Sequence, residues 1–129
     1  MIDELLALGI REIDIKNIGE FINEDNKEDS MKIINLLENI GCDEKEIRNI
    51  IVGNPHILEM GYEEVFDLIN YMINAKFNNL NILFDSYPVF LNKDKWEIEN
   101  YINKKLQENM NIEDIISDLE FNPLLIEEI

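Results

Sequence analysis

The chain has 129 residues, 46% of them apolar, and its 28 acidic and 11 basic residues give a net charge of −17. This length suits one domain with a real core, and no apolar run approaches the ~20 residues that a membrane helix needs. The acidity disfavours ordinary nucleic-acid binding, which requires a local excess of Lys and Arg. It is typical either of a solvated, self-repelling surface or of an acidic face for a basic partner.

The cellular compartment is indicated by the cysteine content and by the first residues. Cys42 is the single cysteine, so the chain cannot form an internal disulfide, and this is typical of a reducing compartment. The first residues lack the basic stretch of a secretion signal and the arginines of a transit peptide. We therefore expect a cytoplasmic protein that does not associate with membranes.

Residues 1–24 predict a short first pair of helices. Gly9 follows a leucine-rich stretch and can supply the left-handed backbone that ends a helix. Ile15, Ile18 and Ile22 then recur at helical spacing.

A polar connector, residues 23–30, precedes the second pair. Asp29 or Ser30 is predicted to cap the helix that follows it. The apolar stripe of that helix is Ile33, Leu36, Leu37 and Ile40, and Gly41 ends it.

The remaining helices are marked by capping residues and apolar stripes. Asp43 with Glu46 predicts a capping box, Asn78 or Asn79 a helix start, and Asp94 and Asn111 two further N-caps. The stripes that follow Gly61 and these caps are Ile47, Ile50 and Ile51; Val65, Leu68, Ile69, Met72 and Ile73; Leu80, Leu83 and Phe84; Ile98, Tyr101, Ile102 and Leu106; and Ile112, Ile115, Ile116 and Leu119. No segment alternates apolar and polar residues over the length of a strand, so the sequence predicts an all-α protein of about eight helices.

The three prolines of the chain, Pro55, Pro88 and Pro123, stand 33 and 35 residues apart and share their apolar surroundings. Apolar residues lie eight and four residues before each proline and two and three residues after it. The residues of the resulting motif are Pro55, Ile57, Leu58, Pro88, Phe90, Leu91, Pro123, Leu125 and Ile126. Such a period is typical of helical repeat proteins, whose units must stack to bury their apolar faces. The alternative is that each proline is an unrelated helix breaker.

We therefore predict a single solenoid-like repeat domain over residues 1–129, with helix-pair units at about 1–30, 31–61, 62–92 and 93–129. Each unit has a helix, a second helix and a short proline turn. The first unit lacks the proline, as is common for terminal repeats.

Few residues of the chain point to chemistry. His56 is the only histidine and Cys42 has no second cysteine nearby, so neither a zinc site nor a nucleophile pair is indicated. No phosphate-binding or nucleotide-binding motif occurs, and we expect no catalysis, cofactor or metal. The candidate contact residues for a partner are Trp96 and Tyr101, although Trp96 also suits the edge of a core.

The run from Leu36 to Leu58 resembles a repeat of the mitochondrial transcription termination factor (mTERF) family: a leucine-rich helix ending in glycine, a second helix, then Pro-x-aliphatic-Leu. The segments from Tyr87 to Leu91 and from Asn122 to Ile126 look like the same turn. The resemblance implies a right-handed superhelix with 3₁₀ turns at the prolines and a concave face. Family members are usually longer and organellar, and they bind nucleic acid through a basic groove, whereas this chain is short and acidic. Only the prolines and the aliphatic residues after them carry over, and their roles are structural.

These patterns favour a non-catalytic protein that binds another protein. The net charge of −17 suggests that this partner is basic. A first alternative is mTERF-like nucleic-acid binding in transcription, which requires one shared face for Lys45, Arg48, Lys76, Lys93, Lys95, Lys104 and Lys105. A second alternative is an acidic mimic of nucleic acid that inhibits a basic protein, which requires carboxylates along one exposed stripe.

Overall fold

Helices make up 78% of the chain in a computed structural model, which describes residues 1–128 and contains no strand among them. The α-helices are α1 (Ile2–Ala7), α2 (Glu12–Ile18), α3 (Lys27–Asn39), α4 (Glu44–Gly53), α5 (Tyr62–Asn74), α6 (Leu80–Ser86), α7 (Lys95–Gln107) and α8 (Ile112–Phe121). The all-α prediction is confirmed. Ile129, the last residue of the predicted fourth unit, lies outside the described residues.

Short 3₁₀ helices occupy the segments between the helix pairs. Two of them, Gly19–Phe21 and Glu24–Asn26, connect α2 to α3. The others begin at the prolines and are called here the first (Pro55–Leu58), second (Pro88–Asn92) and third (Pro123–Glu128) proline turns.

The backbone enters all three proline turns in the same conformation. The preceding residues Asn54, Tyr87 and Asn122 have φ of −144°, −143° and −143° and ψ of 70°, 75° and 70°. Proline excludes the helical conformation at the residue before it and suits the first position of a new helical turn. This explains why α4, α6 and α8 each stop at that residue and why a 3₁₀ turn begins directly afterwards.

The odd-numbered helices α1, α3, α5 and α7 also end alike. Gly9, Gly41, Lys76 and Asn109 follow these helices with φ of 90°, 103°, 78° and 67°. The next N–H donates back to a carbonyl five residues earlier, as in Cys42 to Leu37 at 3.0 Å. This is the Schellman arrangement, which satisfies the last carbonyls of a helix and reverses the chain.

Three predicted helix starts are confirmed by their hydrogen bonds. Asp43 accepts from the N–H of Glu46 at 2.8 Å while the Glu46 carboxylate accepts from the N–H of Asp43 at 3.0 Å. A second capping box joins Asp94 and Glu97, and Asn111 accepts from the N–H of Asp114 at 2.8 Å. These bonds satisfy backbone donors that a helix start otherwise leaves unpaired.

The predicted cap of α3 is wrong. The helix begins at Lys27, so Asp29 and Ser30 lie within its first turn. Their side chains bond to the segment around the first proline turn: Asp29 Oδ2 accepts from the N–H of Tyr62 at 3.2 Å, and Ser30 Oγ donates to the carbonyl of Leu58 at 3.1 Å. These residues therefore tie α3 to the start of α5 and do not cap α3.

The helices pack in two rows around one apolar core. In one row α3 packs on α5 and α5 on α7, and in the other α4 packs on α6 and α6 on α8. The buried apolar side chains form a single cluster that runs from Met1 to Ile126.

The second proline turn packs closely on the end of α4. The Asn54 side chain, only 2% exposed, donates from Nδ2 to the carbonyl of Pro88 at 3.1 Å and to Oδ1 of Asn92 at 3.0 Å. A Cβ on Gly53 would stand 2.9 Å from Cγ of Pro88. Glycine is required here because of this close approach, since real Cβ atoms essentially never come under 3.0 Å.

Some positions of α7 and α8, called here the outward positions, carry polar residues, whereas the corresponding positions of the earlier helices carry buried aliphatic residues. Five residues before the prolines stand Ile50 and Leu83, both 0% exposed, and then Asp118, which is exposed. Four residues before the Schellman residues Gly41, Lys76 and Asn109 stand Leu37, Met72 and Lys105, of which the first two are 0% exposed and Lys105 is partly exposed. The polar substitutions allow these faces to remain in water.

Candidate functional site

The proline-motif residues form part of the core. Ile57, Leu58, Phe90 and Leu91 are at most 2% exposed and Ile126 is 7% exposed, while Leu125 is partly buried. Pro123 is buried, and Pro55 and Pro88 are partly so. These side chains pack into the core after the second, third and fourth helix pairs, and they present little surface to a partner.

The two aromatic residues expected at an interface lie in different environments. Tyr101 lies on the inner face of α7 beside Ile98 and Ile102 and is 2% exposed, so its ring belongs to the core. Trp96 lies one turn earlier and off this inner stripe, and 57% of it is exposed. The structure therefore leaves Trp96, and not Tyr101, as the surface candidate.

Trp96 stands between two open grooves. The groove called here the α5 groove, of about 340 Å³, lies between α5 and the start of α7. The turn groove, of about 240 Å³, lies between α7 and the third proline turn. Trp96 and Lys93 line both grooves, and the two grooves with Trp96 between them are called here the Trp96 surface.

The Trp96 surface combines apolar groups with an excess of carboxylates. Met60 and Leu68 of the α5 groove are 8% and 1% exposed, so only a small apolar area of each faces the groove. The charged side chains that line the two grooves are Glu64, Asp67, Asp94, Glu97 and Glu127 against Lys93 and Lys95. The surface is therefore acidic with an aromatic centre.

One of the two lysines is already neutralised. Lys93 Nζ lies 2.6 Å from Oε1 of Glu127, and the same oxygen accepts from the hydroxyl of Tyr87 at 3.2 Å. The hydrogen bond from Lys93 is the main reason that the pKa of Glu127 is lowered. Glu64 and Asp67, by contrast, are exposed and form no salt bridge with any residue of the described part of the chain.

A larger groove, of about 470 Å³, lies between α8 and the loop that joins α5 to α6. Its polar centre is Glu120, which is only 3% exposed. The Glu120 carboxylate accepts from the N–H of Asn78 at 2.9 Å, from the N–H of Asn79, and from the side-chain amide of Asn79 at 3.4 Å. Because its acceptors are taken up by the loop, this carboxylate holds α8 against the loop.

Cys42 and His56, the two residues considered for a nucleophile pair, lie in different surroundings. Burial raises the pKa of the Cys42 thiol to about 12, so it stays protonated near neutral pH and is a poor nucleophile. His56 is exposed on the first proline turn. Among residues 1–128, no three His, Cys, Asp or Glu side chains come together as metal ligands.

Comparisons with models of protein families, with characterised proteins and with solved structures gave no significant match. Within the part of the chain that the structure describes, no helix has both the length and the apolar character needed to cross a membrane.

Sequence reasoning identified Trp96 but missed the carboxylates around it. Glu64 and Asp67 come from α5 and lie about thirty residues earlier in the chain, so only the packing of α5 on α7 places them in one groove with Trp96. Asn54 and Glu120 were also missed. The available signal was a polar side chain at a position whose neighbours are core residues, but in an acidic, asparagine-rich chain this signal is weak.

Proposed function

We propose that the protein is a non-catalytic helical-repeat module that binds another protein through the Trp96 surface. The observation that carries this proposal is the 57% exposure of Trp96 between two open grooves. Tryptophan is depleted from ordinary exposed surface because of its large apolar area, and it is enriched among the residues that dominate binding energy at interfaces.

The scaffold that we propose is a right-handed solenoid of four units. Its support is the recurrence of the same two backbone events, a left-handed residue after each odd-numbered helix and the same φ and ψ before each proline. The packing of α3 on α5, α5 on α7, α4 on α6 and α6 on α8 also fits a stack of units. The 3₁₀ turns at all three prolines agree with the mTERF-like resemblance.

Nucleic-acid binding receives less support from the positions of the basic residues. Arg48 lines a groove beside Gly9, Lys76 lines the groove against α8, and Lys93 and Lys95 lie at the Trp96 surface. Lys105 is paired with Glu108 at 3.4 Å. Arg48, Lys76 and the pair Lys93 and Lys95 thus line three separate grooves, whereas a phosphate backbone requires a continuous basic track. A cytoplasmic location is proposed because the single cysteine is buried and unpaired.

The test is affinity capture from the native host with the wild-type chain and two variants. Trp96→Ala removes the proposed anchor, and Phe121→Ala is the matched control because it removes an exposed aromatic ring, 62% exposed, that lines neither groove of the Trp96 surface. We expect Trp96→Ala to lose a protein that the wild type and Phe121→Ala both retain. Retention of the same proteins by all three chains would contradict the proposal.

A further inference from the structure

We propose that the Trp96 surface binds a basic segment of its partner by stacking an arginine or lysine side chain on the indole ring, with Glu64 and Asp67 as its ion-pair partners. This inference rests on the proposed function and names the chemistry of the partner. It follows from three observations: an unoccupied aromatic ring, unpaired carboxylates in the same groove, and the charge of the whole surface.

The first observation concerns the aromatic rings. Lys32 Nζ lies 5.9 Å from the ring centroid of Tyr62, and Lys105 Nζ lies 5.7 Å from that of Tyr101, so the chain itself places cations over two rings. Within residues 1–128, no lysine or arginine lies over Trp96 in this way. Tryptophan has the strongest affinity of the aromatic side chains for a cation, so Trp96 offers a free site of the kind that the chain uses elsewhere.

The second observation is the position of Glu64 and Asp67. They stand three residues apart on α5, which places both on one side of that helix and in the α5 groove with Trp96. Neither has a salt-bridge partner in residues 1–128. A guanidinium or ammonium group that lies over the indole can therefore form an ion pair with a carboxylate that has no salt bridge within residues 1–128.

The third observation explains why the occupant is basic and is neither an acidic segment nor a second copy of this chain. Five carboxylates line the Trp96 surface against two lysines, and Glu127 neutralises one of these, Lys93. A second copy would bring another net charge of −17 against this surface, and like charges brought together at an interface are costly. A basic segment is attracted by the same field.

The apolar groups of the surface suit the rest of such a side chain. Arginine and lysine carry long methylene stems that pack on apolar surface while the charged head stays hydrated. Met60 and Leu68 contribute to the α5 groove beside Trp96 and provide that apolar contact.

The experiment uses the full chain and its only tryptophan as the reporter. A short synthetic peptide that alternates arginine with alanine is titrated at physiological ionic strength while Trp96 emission is followed. The matched probe is the same peptide with citrulline in place of arginine, which keeps the shape and removes the charge. We expect the arginine peptide to shift the emission and the citrulline peptide to leave it unchanged.

Two double variants separate specific pairing from general attraction to an acidic protein. Glu64→Gln with Asp67→Asn removes the proposed partners, and Glu38→Gln with Asp118→Asn removes the same charge at exposed positions outside the Trp96 surface. We expect the first pair to weaken binding about 10-fold and the second about 2-fold or less, since exposed charges far from the ligand are screened. Calorimetry with Trp96→Phe should show binding weakened by about 2- to 3-fold, because a cation binds the indole ring more strongly than the phenyl ring.

Equal weakening by the two double variants, or equal binding of the citrulline peptide, would overturn this inference. Those results would leave the proposed function standing if the captured partner still depends on Trp96. Loss of that dependence in the capture experiment would remove the proposed function itself.

Discussion

Because Gly53 closely approaches Pro88, we predict that Gly53→Ala destabilises the protein, whereas replacing a helical glycine with alanine usually stabilises it. Gly53 is the last residue of α4, where alanine would normally stabilise a helix by about 0.5–1 kcal/mol. In Gly53→Ala, however, the new Cβ would lie 2.9 Å from Cγ of Pro88. Carbon atoms in contact are separated by about 3.5–4.0 Å, so α4 or the second proline turn must move by roughly 0.6 Å or more.

The expected magnitude follows from setting the overpacking cost against the helix gain. Overpacking in a close-packed region costs about 1–3 kcal/mol, and the proline ring, which is closed onto the backbone, can yield only by a change of pucker. We expect Gly53→Ala to lower the free energy of unfolding by about 1–2 kcal/mol, which corresponds to a decrease in Tm of about 3–8 °C for a chain of this length. Urea denaturation followed by helical circular dichroism would measure it.

Gly19→Ala is the matched control. Gly19 has φ of −56° and ψ of −32°, and a Cβ there would meet no atom within 4 Å. This substitution should leave stability unchanged or raise it by up to about 1 kcal/mol. If Gly53→Ala were as stable as Gly19→Ala, the packing of the second proline turn on α4 would not be as described.

Three further predictions concern single side chains. Lys76→Gly should raise the free energy of unfolding by about 0.5–1 kcal/mol, because Lys76 has φ of 78°, which glycine adopts without strain; an unchanged urea midpoint would contradict this. Glu120→Ala should lower it by about 2–4 kcal/mol, because the N–H groups of Asn78 and Asn79 lose a charged acceptor, whereas Glu120→Gln, which keeps an acceptor oxygen, should lose less; equal losses would show that an uncharged acceptor oxygen contributes nothing at this position. Cys42 should react with a thiol-specific reagent at pH 8 only as fast as the protein opens, because burial raises its pKa to about 12; a native rate equal to that in denaturant would place this thiol on the surface.

The helix ends show which structural features can be predicted from local sequence and which cannot. Gly9 and Gly41 could be identified as ends because glycine is the usual residue in left-handed backbone. Lys76 and Asn109 adopt the same conformation without glycine, and the sequence does not mark the lysine as a helix end. The packing of the helices around the apolar core fixes that conformation in spite of a local cost.

The apolar stripe of α7 shows a second limit. Period alone predicted Ile98, Tyr101, Ile102 and Leu106 on one face, but Leu106 is 43% exposed and Lys105 stands where the earlier helices have buried aliphatic residues. Which of two adjacent positions faces inward depends on the neighbouring helices, and α7 is the last helix of its row. Trp96 likewise could be at the edge of the core or on the surface until the position of α5 was known.

Hydrogen bonds between distant segments could not be predicted from the sequence. Asp29 and Ser30 suited an N-cap by residue type, yet their partners are Tyr62 and Leu58, about thirty residues ahead. A local rule cannot distinguish a side chain that caps its own helix from one that bonds to the next element.

The residues on the outward faces of α7 and α8 determine where the protein could be lengthened. If residues 62–92 are one unit of the proposed solenoid, a copy inserted ahead of α7 would place Leu83 and Met72 against aliphatic surfaces of the kind they already meet. The same copy added after the third proline turn would instead bury the charges of Asp118 and Lys105 and would meet Phe121 where α4 has the glycine that lets a proline approach. Under the proposed solenoid arrangement, we therefore expect a duplicated unit to be tolerated ahead of α7 and to be unfavourable directly after the third proline turn.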